Sequence, residues 1–449
     1  MSHWMPSAAA FGKAPDLTAP SAGPHRPVTA RDPHALPPGP PQGEASGEAS
    51  RGAVRLVPRL KDQGYARALV DQRRAWVEER TGARLAHVGA FSIPSEGWRG
   101  NVENPIGAVQ TPLGVAGPLL VHGEHAEGTF YVPLATTEGA LVRSYERGMV
   151  AITRSGGAQA RVWVDRNRIS PTFVFDDVAC AFDFAATLRQ RFDEIRAVAE
   201  ATTRHGRLLE IECLPVGREL IVDFSYFTAD AHGMNMIVKA TDEACRFIRD
   251  TLGGPRYYIF SGYNSEKRAS GSLLRGGKGK KVTAGARIPA RTARAVLHAT
   301  PEEIVELWHH TVLGHLATGA LGYNGHYANG LTALFIATGQ DVANVANSAV
   351  GITHFELAEG GDLYASVTLP SLTVATVGGG TRLGTGRECL AMLGCDGEGK
   401  DGRGALKLAE IVAATLLAGE LSMGGAIASG EFVDAHEALG RNRPEEGEA

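Results

Sequence analysis

The stretch that decides the fold is Tyr131–Gly148, which reads YVPLATTEGALVRSYERG. Its first four residues are strand-like, and an amphipathic helix is predicted to begin near Ala140. Thr136 or Thr137 can cap this helix, and Glu138 is expected in its first turn, where the helix dipole favours a carboxylate. Two interpretations of Glu138 stay open: an acid that only stabilises a helix N-terminus, or a functional carboxylate whose partners lie elsewhere in the chain.

Length and composition favour a globular protein with more than one core. The chain has 449 residues, 43% of them hydrophobic, which is enough for two or three cores. A formal net charge of -4 is too small to suggest nucleic acid or a membrane surface as a partner. Five cysteines are scattered singly, which is more typical of free thiols in a reducing compartment than of a disulfide framework, and no metal site is predicted. They are Cys180, Cys213, Cys245, Cys389 and Cys395.

The two ends of the chain differ in composition, and neither predicts a membrane segment. Residues 1–52 are rich in Ala, Pro, Gly and Ser and are predicted to form a disordered tail, because they cannot bury enough apolar surface to offset their ordering entropy. The tail lacks the basic start and apolar run of a secretory signal. The most apolar region, Leu406–Phe432, is interrupted by charged residues and is predicted to be a packed helical region. We therefore expect a soluble, cytoplasmic protein.

The middle of the chain predicts a small inserted domain. Residues 160–164 and 220–227 are strand-like, residues 177–204 have a helical pattern, and a further helix is predicted from Gly233 to Leu252. This alternation of strands and helices indicates an α+β unit of modest size. The predicted organisation is a tail at 1–52, a large domain at 53–158 and 255–425, an inserted domain at 159–254, and a C-terminal segment at 426–449.

A charged loop follows the apolar residues 257–260. It reads SGYNSEKRAS over residues 261–270 and places Glu266, Lys267 and Arg268 next to one another among small residues. A cation in such a loop can stabilise a developing oxyanion or bind an anionic substrate. The alternative is a solvated charged loop without a chemical role, and the loop alone does not decide between them.

A second polar stretch, GYNGHYANG at residues 322–330, precedes an apolar run and then Gly339-Gln-Asp341. The run LTALFIAT predicts a buried helix, so Asp341 is expected near the core. A buried carboxylate needs a cation close by, and Lys267 is a candidate for that cation.

Two glycine-containing stretches are candidate phosphate sites. ADAHGMNM, at residues 229–236, opens the helix predicted from Gly233, and backbone N–H groups at a helix N-terminus bind phosphate. TVGGGT, at residues 376–381, is a second flexible turn. Both can also be ordinary tight turns, and no G-x-G-x-x-G motif follows a strand to predict the common dinucleotide-binding fold.

A lone histidine, His436, lies near the C-terminus. Such a residue usually lies on the surface without a function. Because histidine ordinarily titrates near neutrality, it is also suited to protonating a leaving thiolate.

Taken together and in this order, the segments resemble the 3-hydroxy-3-methylglutaryl-coenzyme A (HMG-CoA) reductase family, from about Glu103 to His436. ENPIG is similar to the family's ENVIG segment, and PLGVAGPL and ATTEGALV follow its pattern. DAHGMNM resembles DAMGMNM, GALGYNGHYAN resembles GALGGxNAHAAN, GQDVANV resembles GQDxAQN, and PSLTVATVGGGT matches the family's glycine-rich block. The joint occurrence of these motifs is highly specific.

The resemblance implies an α+β fold: a large domain with a central helix, into which a small ferredoxin-like α+β nucleotide-binding domain is inserted. It also implies a homodimer or higher homo-oligomer, because the family's active sites form between subunits. The implied reaction is the four-electron reduction of a coenzyme A thioester to a primary alcohol, through a hemithioacetal and an aldehyde, with two nicotinamide hydrides.

The same resemblance assigns the site residues. Glu138 matches the glutamate that protonates the substrate oxygen, Lys267 the lysine that stabilises the negative oxygen, and Asp341 the buried aspartate that hydrogen-bonds both. His436 matches the histidine that protonates departing coenzyme A. The matching segments imply substrate contacts for Ser261, Glu266, Arg268, His326 and Asn329.

The implied cofactor is NADPH rather than NADH. Thr202-Thr203-Arg204 resembles the stretch that holds the adenosine 2′-phosphate, and an arginine suits a phosphate dianion better than a ribose hydroxyl. The implied cofactor-binding residues are Thr203, Arg204, Asp230, Gly233, Met234, Asn235, Met236, Gly378 and Gly379.

The sequence departs from the family pattern around the acyl end of the substrate. The segment 266–270, EKRAS, stands in place of DKKPAA, His232 replaces a methionine, and the arginine that usually contacts the substrate carboxylate is replaced near Val174. Three functions are therefore kept as alternatives: reduction of HMG-CoA to mevalonate for isoprenoid synthesis, the same reaction on another acyl thioester, and non-catalytic binding of coenzyme A or nucleotide.

Overall fold

A β-hairpin leads into the ATTEG turn. The computed structural model describes residues 56–59, 64–396 and 402–432. Strand β1, Leu113–Gly123, pairs antiparallel with strand β2, Glu127–Ala135. β2 is buried from Val132 to Ala135, and the turn that follows it is therefore anchored on the core.

Ten strands of the described residues form one sheet, which is antiparallel except where β1 pairs with β3. The strands after β2 are β3 Ala158–Ile169, β4 Thr172–Val174, β5 Arg207–Val216, β6 Glu219–Phe227, β7 Tyr257–Tyr258, β8 Gly279–Ile288, β9 Ile352–Leu357 and β10 Leu363–Leu372. Their order is β7-β4-β6-β3-β8-β10-β9, with β5 beside β6 and the β1–β2 hairpin joined to β3.

Helices precede the first strand, lie between later strands and follow the last one. They are α1 Arg67–Thr81, α2 Ala86–Gly89, α3 Leu141–Arg154, α4 Val178–Gln190, α5 Phe192–Glu200, α6 Met234–Thr251, α7 Ala290–Thr292, α8 Pro301–Thr318, α9 Tyr327–Ala337, α10 Val345–Ser348, α11 Gly384–Met392 and α12 Arg403–Ala428. Shorter turns include the π-helical turn Ala293–Leu297 and the 3-10 turns Ser95–Trp98, Gly271–Arg275, Val342–Asn344 and Gly379–Arg382. The fold is α+β, as predicted.

The buried side chains form two main clusters. The larger includes Leu119 of β1, Tyr145 of α3 and Leu417 of α12, and the smaller includes Phe173 of β4 and Phe224 of β6. Strand β3 contributes to both, because its first residues belong to the larger cluster and its last residue to the smaller. The predicted boundaries of the inserted domain at 159–254 stay a prediction.

Helix α12 is buried along most of its length. Every residue from Leu408 to Ser422 is buried, and the helix packs against α3, β8 and β10. At Gly148 of α3, a Cβ atom would lie 1.8 Å from the carbonyl oxygen of Ala418, so only glycine permits this close approach of the two helices. Helix α12 is long and apolar enough to cross a membrane, yet 83% of its apolar window is buried inside the fold. The prediction of a packed helix is confirmed.

The predicted cap of α3 is wrong. The helix begins at Leu141, its N-cap residue is Ala140 in the left-handed conformation with φ 66°, and no side chain caps it. Neither Thr136 nor Thr137 is therefore the cap, and Glu138 precedes the helix instead of lying in its first turn. The reversal of the chain at Ala140 separates the ATTEG turn from the helix and turns Glu138 towards another part of the fold. The predicted tail at 1–52 lies outside the described residues.

Candidate active site

Glu138 is oriented by the turn that carries it and by a distant amide. The Glu138 backbone N–H donates to Thr136 Oγ1 at 3.0 Å, which fixes the turn. The side-chain amide of Asn329, in the first turn of α9, donates to both carboxylate oxygens of Glu138 at 3.1 Å. The structure thus brings together two residues that the sequence assigned to the site from separate segments.

The segment that carries Asn329 is held by a buried acid that the sequence analysis did not single out. Glu420 of α12 accepts hydrogen bonds from the backbone N–H groups of Gly325 and His326, each at 2.8 Å, and from Thr353 Oγ1 at 2.7 Å. These donors satisfy a carboxylate that is removed from water. The local sequence around Glu420 is apolar and helical, so its only signal was a charged residue inside a run predicted to be buried.

A cavity of about 670 Å³ opens beside Glu138. Its lining includes His326 and Asn329 and the side chains of Arg143, Arg147 and Arg154. The spacing of these arginines places them on one face of α3. Arg143 is paired with Glu146 at 2.7 Å, and Arg147 donates to the carbonyl oxygen of Ser422 at 2.6 Å. The cavity therefore joins a carboxylate at the ATTEG turn to a row of cations along one helix.

Lys267 and Asp341 form an ion pair, with Nζ 2.7 Å from Oδ2. The pairing was expected, but the expected burial of Asp341 is wrong: the side chains of Lys267 and Asp341 are 44% and 41% exposed in the chain. Asp341 is the N-cap of the turn Val342–Asn344 that follows α9, where its Oδ1 accepts from the Ala343 N–H at 3.2 Å. The carboxylate therefore projects from a turn at the surface, although the apolar run before it is buried.

The four predicted catalytic residues do not all meet. In the described part of the chain, no hydrogen bond or ion pair joins Glu138 to Lys267 or to Asp341, so the acid is not in contact with the Lys267–Asp341 pair. His436 lies outside the described residues.

Glu266, one residue before Lys267, is half of a buried ion pair. Its carboxylate pairs with the ammonium of Lys278 and lies 3.5 Å from Nε2 of His232. Burial alone would raise the pKa of Glu266, but the contacts with His232 and Lys278 outweigh it and lower the pKa to about 2. Burial lowers the pKa of Lys278 in spite of the opposing effect of Glu266. Glu266 therefore holds its loop in place while Lys267 points to Asp341.

The other predicted substrate contacts lie in the same loop. Ser261 Oγ donates to the carbonyl oxygen of Ser170 at 2.6 Å, and the Arg268 guanidinium donates to the carbonyl oxygen of Gly262 at 3.4 Å. The first contact joins the loop to the residues just before β4, and the second joins two residues of the loop. The structure therefore groups Ser261, Glu266 and Arg268, whereas His326 and Asn329 lie at the cavity beside Glu138.

Another arginine, Arg168, lies six residues before Val174 in the sequence and pairs with Ser225 of β6, whereas Val174 pairs with Glu219. Arg168, near the end of β3, donates to Asp223 Oδ2 of β6 at 2.7 Å and lies 3.9 Å from Glu212. Asp223 also accepts from Ser170 Oγ at 2.6 Å and is 1% exposed. Arg168 and Lys278 line a polar cavity of about 260 Å³ together with residues 263–265 of the loop. The chain's own carboxylates therefore compensate both cations.

The predicted cofactor residues come from segments that contact one another. The backbone carbonyl of Asp230 accepts from the N–H groups of Thr376 and Val377 at 2.9 and 3.2 Å, which brings Gly378 and Gly379 near the start of α6. Thr203 Oγ1 donates to the sulfur of Met236 at 2.9 Å. The segment 230–236 thus links the other two segments.

The start of α6 has the properties of an anion site. Gly233 is its N-cap with φ 77°, and no side chain caps the helix, so its first N–H groups are not used by a capping side chain. A Cβ at Gly378 or Gly379 would meet nothing within 4 Å, so the neighbouring turn leaves open space. Arg204, on the segment beside Met236, is exposed. These residues fit a phosphorylated dinucleotide.

The sequence of the chain matches a known protein family. The family model for hydroxymethylglutaryl-coenzyme A reductase matches residues 69–441. The 3-hydroxy-3-methylglutaryl-coenzyme A reductase of Methanocaldococcus jannaschii is 44% identical over 377 residues, which cover 82% of this chain and 92% of the relative. The Aeropyrum pernix reductase is 46% identical over 387 residues, which cover 85% and 91%.

The fold has the same relatives among solved structures. A 3-hydroxy-3-methylglutaryl-coenzyme A reductase of Streptococcus pneumoniae superimposes with a TM-score of 0.61 at 20% identity, covering 80% of this chain and 96% of the other. A class II reductase from the same organism, bound to NADPH in open conformations, has the same TM-score and identity and covers 82% and 100%. At this level of identity, the likeness concerns the fold.

Proposed function

The chain belongs to the hydroxymethylglutaryl-coenzyme A reductase family, and we propose that it reduces HMG-CoA to mevalonate and coenzyme A with NADPH. The observation that carries this proposal is the position of Glu138 at a cavity of about 670 Å³, where the Asn329 amide orients its carboxylate. An oriented carboxyl group beside a cavity lined with arginines suits an acid that acts on an anionic, elongated substrate.

The side chains divide the chemistry between an acid and a cation. Glu138, protonated, donates to the carbonyl oxygen as that oxygen gains charge, and Asn329 keeps the carboxyl plane fixed. The Lys267 ammonium stabilises the same oxygen electrostatically, and Asp341 holds that ammonium at 2.7 Å. His436, in the C-terminal segment, is proposed to protonate the departing thiolate.

The cavity beside α3 is proposed to bind the coenzyme A portion of the substrate. Coenzyme A is elongated and carries several phosphate charges, and arginines bind phosphate oxygens through paired N–H donors. Arg143, Arg147 and Arg154 lie on the cavity face of α3, in the helix that follows Glu138. The thioester can therefore be presented to Glu138 while its carrier lies along the helix.

NADPH is proposed to bind at the start of α6, in the inserted domain at 159–254. When bound, it supplies the hydride for each of the two reduction steps. The uncapped N–H groups after Gly233 suit a diphosphate, Gly378 and Gly379 leave room beside it, and exposed Arg204 suits a 2′-phosphate.

The proposed assembly is a homodimer in the cytoplasm. Lys267 and Asp341 are half-exposed, and in the described residues they make no contact with Glu138. Electrostatic stabilisation is strong only where water is excluded. A second subunit that brings its Glu138 to the Lys267–Asp341 pair would exclude water from the pair and would place the acid beside the cation.

The test uses the full chain with HMG-CoA and NADPH. We expect two NADPH oxidised per thioester consumed, with mevalonate and free thiol as products, and weaker activity with NADH. A chain that binds coenzyme A but oxidises no NADPH with any acyl thioester would contradict the proposal and favour a binding role.

A second candidate is the same reaction on an acyl thioester without a distal carboxylate. It is favoured by Arg168, whose guanidinium is already paired with buried Asp223. An arginine engaged in this way is a poor clamp for a carboxylate of the substrate. Comparison of HMG-CoA with 3-hydroxy-3-methylbutyryl-CoA, which lacks only that carboxylate, separates the two candidates.

A further inference from the structure

Lys278 is a buried cation that contacts three separate parts of the fold. Its side chain is 2% exposed, although it precedes β8 in a run of glycines and lysines. Its ammonium pairs with Glu266, donates to the carbonyl oxygen of Arg168 at 3.3 Å, and lies 3.3 Å from the sulfur of Met234. One ammonium therefore joins the charged loop, β3 and the first residue of α6.

The loop end of this contact is under conformational strain. Ser265 and Lys267, on either side of Glu266, both have positive φ values of 52° and 55°, although neither is a glycine. Such backbone conformations persist where the surrounding structure enforces them. Glu266 lies between these two residues, and its ion pair with the buried Lys278 anchors the strained segment next to Lys267.

The other end of the contact lies in the segment proposed to bind the nucleotide. Met234 is the first residue of α6, and His232, two residues earlier, lies 3.5 Å from the Glu266 carboxylate. The carbonyl oxygen of His232 accepts from the Asn167 amide at 2.8 Å, which holds this residue against β3. A movement of the start of α6 would therefore displace two contacts of Glu266, one with His232 and one with Lys278.

We propose that Lys278 is a positioning residue that couples occupation of the α6 start by the nicotinamide dinucleotide to the placement of Lys267. The inference rests on the proposed function for the identity of the nucleotide, and on the contacts above for the coupling. Lys278 does not reach the reacting atoms; it acts through Glu266. The group His232–Glu266–Lys278 includes His232, which stands where the family pattern has a methionine.

Stability alone does not account for the pair. A buried ion pair contributes little net stability compared with apolar side chains of similar volume, whereas removal of one partner leaves an uncompensated charge. A variant in which both residues are changed therefore removes the proposed coupling without leaving an unpaired buried charge. Lys278→Met with Glu266→Gln removes both charges and keeps similar volumes.

A matched control is available two residues along the chain, in β8. Lys280 is 3% exposed and pairs with Asp165 of β3 at 3.1 Å, away from the loop and from α6. Lys280→Met therefore removes an equally buried ammonium and leaves an equally buried acid without its partner. It does not touch the proposed coupling.

The experiment is hydrogen exchange of the full chain with and without saturating NADPH, for the wild type, Lys278→Met, the double variant and Lys280→Met. In the wild type, we expect NADPH to slow exchange both at 233–238 and in the loop 262–270, by about tenfold in the loop, which is an ordinary coupling strength. In Lys278→Met and in the double variant, protection at 233–238 remains and protection of the loop is lost. Lys280→Met keeps both.

Loop protection that survives in the double variant would overturn the proposal, as would a wild-type loop whose exchange does not respond to NADPH. Turnover is measured in parallel, where we expect a fall in kcat for the two Lys278 variants and a normal kcat for Lys280→Met. A wild-type chain that reduces no acyl thioester would contradict the proposed function, while the exchange data would still decide the coupling.

Discussion

The Asn329 amide donates to both carboxylate oxygens of Glu138 at 3.1 Å, and so joins two residues that lie 191 positions apart in the sequence. Two hydrogen bonds from one amide fix the plane of the carboxyl group as well as its position. Glu138 is otherwise exposed on a turn, so Asn329 is its main orienting contact among the described residues. A carboxyl group that acts as a proton donor depends on such orientation.

Asn329→Ala is therefore expected to lower turnover without unfolding the chain. The hydrogen bonds are exposed and contribute little to stability, but loss of an oriented general acid costs roughly 10²- to 10⁴-fold in rate. Single-turnover NADPH oxidation measures the rate, and urea unfolding measures the stability. Gln110→Ala, which removes an exposed amide bonded to the carbonyl oxygens of His87 and Ala90, is the control. An Asn329→Ala chain with the wild-type rate would contradict the role given to Glu138.

Lys267→Met is expected to lower turnover and to leave the free energy of unfolding almost unchanged. The Lys267–Asp341 pair is 44% and 41% exposed, and exposed ion pairs contribute only about 0–1 kcal/mol to folding. The free energy of unfolding should thus change little. Loss of the cation that stabilises the oxyanion should lower turnover by about a hundredfold or more. Asp341→Asn, which leaves the ammonium in place, is expected to have a smaller effect. Unchanged turnover in Lys267→Met would exclude the proposed mechanism.

Candidate site residues could be selected from the sequence, but their exposure could not. The ATTEG, EKR and GQD segments identified Glu138, Lys267 and Asp341 as candidates, because short motifs keep their residue types together. The exposure of Asp341 was not predicted, since the apolar run before it indicates burial of α9 but not the direction of the turn that follows.

Glu420 and Lys278, which hold segments of the candidate site in place, could not be predicted from the sequence for a related reason. Glu420 lies in an apolar helix, and its partners at Gly325 and His326 are 95 and 94 positions away. Lys278 lies among glycines and lysines, a composition typical of solvated loops. Neither position has a local pattern that reveals its partner, because a buried charge is defined by contacts that only the tertiary fold creates.

Glu420→Gln is expected to reduce both stability and turnover, whereas Glu410→Gln should reduce stability alone. Each acid is buried on α12 and accepts backbone N–H groups: Glu420 from residues 325 and 326, and Glu410 from residues 124–126 in the β1–β2 turn. Loss of acceptor capacity in a buried site costs about 1–3 kcal/mol.

Only the Glu420 contacts support the segment that carries Asn329, so a displacement there should lower turnover by roughly 10- to 100-fold. Urea unfolding gives the stability of both variants, and turnover is compared under conditions in which each is folded. Equal turnover in the two variants would show that the 325–329 segment keeps its position without Glu420.

Acid should remove a part of the stability that depends on Glu266. Burial raises the pKa of this carboxyl, but His232 and Lys278 lower it to about 2, below the ordinary 4.5. A group whose pKa is depressed by folding stabilises the folded state above its unfolded pKa, and this stabilisation is lost as the pH falls from about 4.5 towards about 2. Glu266→Gln lacks this titration, so its urea midpoint should fall less than that of the wild type between pH 5 and pH 3. Parallel midpoints over this range would contradict the pairing.

Asp223→Asn is expected to shift substrate preference towards acyl groups that end in a carboxylate. In the wild type, Asp223 holds Arg168 at 2.7 Å and is itself fixed by Ser170, so the guanidinium is engaged before any substrate arrives. Burial raises the pKa of Asp223 in spite of Ser170 and Arg168, which indicates that burial destabilises the ionised carboxylate.

The neutral amide of Asp223→Asn releases Arg168 for a charge-assisted bond to the substrate, and such bonds are worth about 1.5–3 kcal/mol. The ratio of kcat/KM for HMG-CoA to that for 3-hydroxy-3-methylbutyryl-CoA should therefore rise by roughly 10- to 100-fold. Glu212→Gln, which removes the carboxylate 3.9 Å from the same guanidinium, is the control and should change the ratio far less. An unchanged ratio in Asp223→Asn would mean that Arg168 does not meet the acyl end, and that the distal carboxylate of HMG-CoA is bound elsewhere.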